Sequence, residues 1–168
     1  MKKILVLFLT LLLCFILQTT IFQSLKLAGI SPNIMLILVV SFGIMRGKTE
    51  GMLLGFCAGL FLDVLYGGYL GVFTAIYMTI GYFNGNFTQM FYTDDIMLPL
   101  WLILLNDFLL NIGIYAVYFL LRNRLDFVFY LRYTILPEMI YTIIITLVLY
   151  KPLLGIHLWL KSNEKRGN

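Results

Sequence analysis

The sequence predicts an all-α integral membrane protein, a single transmembrane domain of six helices. Three observations predict it. The 168 residues are 61% hydrophobic and only 12% charged, about half the charged fraction of an ordinary soluble domain. Several apolar runs approach the roughly 20 residues that cross a bilayer as helix. The breaks between them hold the Gly, Pro and charged residues that punctuate helices. The net charge of +4 sits mostly in loops and tail, which argues for membrane orientation and against nucleic acid. Cys14 and Cys57 both fall inside apolar runs, where free thiols act as small hydrophobes.

Lys2, Lys3 and the apolar run behind them imitate a signal peptide. Gln18, Thr19, Thr20 and Ile21 stand where a small-x-small cleavage site belongs, so the segment reads as the first helix, residues 4–22. Ser31 can cap the second helix, 32–46, with Pro32 in its first turn. That segment is about 14 residues, roughly 21 Å, short for a crossing; it is tilted, buried against neighbours or extended beyond Arg46. Arg46, Lys48 and Glu50 form a charged turn. The third helix, 51–66, ends at Gly67-Gly68, and the fourth, 70–87, carries Gly81 and Gly85. A link with Asp94 and Asp95 leads to Pro99 and the fifth helix, 99–121. A basic, aromatic link precedes the sixth, 133–150, which Lys151-Pro152 closes, and 155–168 is expected as a short cytoplasmic tail with Trp159 at headgroup depth.

Six crossings with both termini inside put Lys2, Lys3, Arg46, Lys48, Lys151, Lys161, Lys165 and Arg166 on the cytoplasmic side. Lys26, Arg122, Arg124 and Arg132 fall outside. The bias runs in the positive-inside direction, although the arginines after the fifth helix oppose it.

Glycines recur every fourth residue at 43, 47, 51, 55 and 59; Asp63 takes the next slot, and Gly67 and Gly71 resume the count. Gly-x-x-x-Gly clears one helix face so that another backbone can approach. Each step of four drifts by about 40°, so Gly51, Gly55 and Gly59 share a face but all eight positions cannot. The facing backbone belongs either to this chain or to a partner. Asp63 points to nearly the same side, and a carboxylate there must meet protein, water or an interface. It reads as a cap at the end of the third helix or as a partner contact.

The fifth helix carries Asn106, Asp107 and Asn111, and the sixth carries Thr134, Glu138, Thr142 and Thr146 at spacings of four. Two such stripes form a helix-pairing seam, a ligand pocket or a wet groove. His157 stands alone. No phosphate loop, His-Glu-x-x-His, Gly-x-Ser-x-Gly or paired-cysteine metal site is present, so no cofactor or metal is expected. An intramembrane aspartyl protease would present Gly-x-Gly-Asp, whereas Asp63 follows Leu60-Phe61-Leu62.

Ser31-Pro32-Asn33 before IMLILVV, then Gly51-x3-Gly55-x3-Gly59-Leu60 with Asp63, Gly71, and Tyr77 before Gly81-Tyr82 resemble the MreD family of bacterial rod shape-determining proteins. The resemblance implies a non-catalytic, multi-pass protein of the plasma membrane. It would belong to the cell-elongation complex with MreC, MreB, RodA and a class B penicillin-binding protein. It also implies a fold similar to the substrate-binding subunits of energy-coupling-factor transporters. The family pattern marks Pro32, Gly51, Gly55, Gly59, Asp63 and Gly71 for architecture or partner contact. The alternative is a substrate-capturing subunit of a vitamin or small-molecule transporter, with the polar stripes as its pocket.

Overall fold

A computed structural model describes residues 2–24, 30–66, 71–122 and 127–166. Lys26, Gly67, Gly68 and Arg124, which figure in the expectations above, lie outside that set. Helix α1 (Lys2–Ile16) continues through a π turn, Leu17–Ile21, into Phe22–Ser24. Then come α2 (Ile34–Arg46), α3 (Lys48–Tyr66) and α4 (Val72–Asn84), which runs on as a 3₁₀ segment, Gly85–Met90. Helix α5 is Met97–Arg122. A turn of helix at Phe127–Tyr130 and a π turn at Leu131–Ile135 lead into α6 (Leu136–Arg166). Segments 3–21, 48–66, 97–117 and 128–164 are long and apolar enough to cross a membrane.

The bundle is organised around α2. Every residue from Ile34 to Met45 is buried, and α2 touches all five other helices. A helix apolar on all sides is enclosed by protein or by lipid, and here the burial of α2 shows that protein encloses it. Because lipid never reaches it, α2 needs no full bilayer length, and burial against neighbours is what accommodates its 13 residues. The turn into α3 is a single residue, Gly47, at φ 97°, a left-handed backbone that favours glycine. Outward faces are apolar: Ile4, Val64 and Val148 are all more than three-fifths exposed, as suits side chains that meet acyl tails.

One end of the bundle is tied by charge. Lys3 pairs with Glu50 and Glu164, and Arg46 pairs with the same two carboxylates. The ring links α1, α2, α3 and α6 and brings the first and last helices to the same side.

The sixth helix departs from expectation. It does not stop at Tyr150 but runs through Pro152 to Arg166, so residues 155–166 of the expected tail are helical. An interior proline loses one backbone hydrogen bond and costs about 3 kcal/mol. Leu153, His157 and Leu160, one buried stripe beyond the proline, and the Glu164 ion pairs offset that cost. Sequence spacing shows the breaker but not the packing that overrides it. At the start of α5 the helix begins ahead of Pro99, where the Asp95 carboxylate accepts the Met97 amide at 2.9 Å.

Candidate functional site

Helices α3 and α4 pack backbone to backbone. A Cβ at Gly51 would lie 2.5 Å from the Gly81 carbonyl oxygen and 2.7 Å from the Gly43 Cα. At Gly55 it would land on the Tyr77 carbonyl, and at Gly59 on the Thr74 backbone. From the other side, a Cβ at Gly81 would strike the Gly51 carbonyl, and one at Gly85 the Lys48 backbone. The face carrying Gly51, Gly55 and Gly59 is therefore occupied by this chain's own α4. Gly71 is different in kind. Nothing lies within 4 Å of where its Cβ would be, and its φ of 98° is what favours glycine.

Asp63, 3% exposed, caps α4 from the neighbouring helix. Its carboxylate accepts the Phe73 amide at 3.0 Å, the Thr74 amide at 2.9 Å and the Thr74 hydroxyl. A helix start leaves four amides without helical partners and carries partial positive charge. An acid at the end of α3 satisfies both requirements, which explains how a carboxylate is held there.

The start of α2, also buried, is closed by side chains from three helices and its own cap. Asn33 Oδ1 accepts the Leu36 amide at 3.2 Å and the Tyr77 hydroxyl at 2.7 Å. Gln18, from the π turn of α1, accepts the Met35 amide at 2.9 Å, and Thr142 of α6 accepts the Asn33 amide at 3.2 Å. Pro32, just ahead, is buried, and its carbonyl accepts the Ile34 amide.

The polar stripes of α5 and α6 meet only in part. Asn106 turns instead to α4, where it and Asn84 exchange two amide hydrogen bonds at 3.0 Å each. Both are buried, and each also donates to its own helix, to Leu102 and Ile80. The signal for Asn84 was a lone amide inside an apolar run between Gly81 and Gly85; spacing alone does not reveal its partner. Removing either amide strands the other, so Asn84→Ala and Asn106→Ala should each destabilise the protein. The double variant should cost less than their sum by about 0.6–1.7 kcal/mol. Thermal unfolding of the four proteins in detergent measures this coupling, and strict additivity would refute the pairing.

Asp107 and Asn111 do face α6. Asp107 is 0% exposed, and neither of its oxygens has a hydrogen-bond partner among the described residues. Thr142 is close by but falls short of hydrogen-bond geometry. Asn111 donates to the Asp107 carbonyl at 3.0 Å. Glu138 lies beside Asn111 and within electrostatic reach of Asp107. A cavity of about 200 Å³ opens above them at the Asn33 end of α2, lined by Gln18, Ser31, Asn33, Tyr77, Asn111 and Glu138 among others. No cluster of His, Cys, Asp and Glu suited to a metal ion occurs among the described residues.

Six helices, a fully sheathed central segment and lipid-matched outer faces define a multi-pass integral membrane protein. No sheet and no cluster of His, Cys, Asp and Glu suited to a metal accompanies them among the described residues. The family model for rod shape-determining protein MreD matches residues 1–157, and the chain belongs to that family. No curated protein and no solved structure matches it.

Proposed function

We propose that the chain is a non-catalytic scaffold of the bacterial cell-elongation complex that maintains rod shape by docking MreC. MreB, RodA and a class B penicillin-binding protein would belong to the same assembly. The observation that carries this reading is membership of the rod shape-determining family over residues 1–157. The internal economy of the bundle supports it. Asp63, Asn33 and the Asn84–Asn106 pair are spent on holding helices together, and the glycine face is taken by α4. Partner helices would then meet the outer surfaces. Two apolar grooves are available there, about 350 Å³ between α1 and α3 beside Phe8 and Cys57, and about 450 Å³ between α4 and α5 beside Ala75 and Leu109.

In this reading the protein sits in the plasma membrane with both termini cytoplasmic. The meeting of Lys3 with Glu164 and the excess of basic residues at that side support the orientation. The likeness to energy-coupling-factor substrate subunits stays part of the proposal, supported by the count of six helices. Depletion of the protein should turn rod-shaped cells round, and the tagged chain should recover MreC from its own host membranes. Depleted cells that stay rod-shaped would overturn the reading.

A further inference from the structure

We propose that the cavity at the Asn33 end of α2 binds a small organic ammonium group, seated between Glu138 and a wall of aromatic rings. Glu138 lines the cavity, and Asp107 lies one helical turn below Asn111 on the same face of α5. The two carboxylates are within electrostatic reach of one another. No Lys, Arg or His is among the residues lining the cavity. Both Asp107 oxygens are unpartnered among the described residues at 0% exposure. Acids buried this close together stay ionised only beside a compensating cation, and the cavity leaves space for one next to Glu138.

The walls select its chemistry. Tyr66, Phe73, Tyr77 and Tyr130 line the same cavity, and the Tyr66 and Phe73 rings stand 6.1 Å apart. Aromatic faces attract cations, and such cages suit ammonium groups bearing carbon. The polar lining offers acceptors in the Glu138 carboxylate and the side-chain oxygens of Gln18 and Ser31. The Asn111 amide nitrogen donates to the Asp107 carbonyl at 3.0 Å and lies beside Glu138. A volume of about 200 Å³ is more than a bare inorganic ion fills and holds a cation with a few carbons. The ammonium group could come from a free amine or from a phospholipid headgroup.

The test uses the full-length protein in detergent. Choline chloride should raise the thermal unfolding midpoint at millimolar concentration. Equal sodium chloride and 3,3-dimethylbutan-1-ol, the uncharged carbon analogue of choline, should not. Glu138→Gln should weaken the apparent choline affinity about tenfold or more. Should that variant fail to fold, Ser31→Trp blocks the cavity mouth without removing a buried charge, and it should abolish the shift. Reconstitution separates the sources. If phosphatidylethanolamine stabilises the protein relative to phosphatidylglycerol and choline then adds nothing, the group is a headgroup; if choline still adds, it is a free amine. Equal stabilisation by the alcohol or by sodium chloride overturns the proposal. So does a shift that survives both substitutions, or no shift with any cation or lipid, the outcome expected if the acids are simply protonated.

Discussion

Gly55→Leu should remove most of the folded protein from the membrane. A Cβ at this position already falls on the Tyr77 carbonyl and presses on the Met78 backbone, and backbone cannot rotate aside as a side chain can. Overpacking a well-filled core commonly costs 1–3 kcal/mol, occasionally more; with a whole isobutyl group driven between two backbones, about 3 kcal/mol or more is expected. The expected readings are a sharp fall in steady-state membrane level, a lowered unfolding midpoint in detergent and rounded cells. Gly155 supplies the control. Nothing lies within 4 Å of its Cβ position, so Gly155→Ala should be neutral or stabilise α6 by up to about 1 kcal/mol, the usual gain of alanine over glycine in a helix. Normal level and midpoint for Gly55→Leu would mean that α3 and α4 are not in backbone contact.

Asp63→Ala should be the second most damaging change, through hydrogen bonds and not through volume. It strands the Phe73 and Thr74 amides and the Thr74 hydroxyl at the start of α4. An unsatisfied buried donor costs about 1–3 kcal/mol, so a loss of about 2–5 kcal/mol is expected. Asp63→Asn keeps one acceptor oxygen and should fall between the two. Denaturant unfolding in detergent measures the loss, and amide exchange at Phe73 and Thr74 locates it. Unchanged protection of those two amides in Asp63→Ala would rule out the cap.

Helix count and membership of a membrane class were legible because each depends on local composition. A stretch such as Met97–Arg122 is apolar whatever surrounds it. The spacing of Gly51, Gly55 and Gly59 likewise announced a close backbone approach, but it did not name the partner. Asn106 and Asp107 are adjacent in sequence and read as one stripe. They point to different helices, because successive residues on a helix diverge by about 100°. Asn84, the true partner of Asn106, belongs to an apolar run whose facing side no spacing discloses.

By itself the sequence determined that this chain lives in a bilayer as six helices, and that the second is short for a crossing, whether tilted, buried against neighbours or extended. Tertiary structure decided that α2 is the axle of the bundle, that the glycine face closes on α4, and that α6 continues through its proline. It also decided which buried polar groups find partners and that Asp107 finds none among the described residues. The physical reason is the range of the interactions. Hydropathy and helix breaking act over a few neighbouring residues, whereas backbone contact and hydrogen bonding inside the bundle join residues far apart in the chain, such as Asn33 with Thr142.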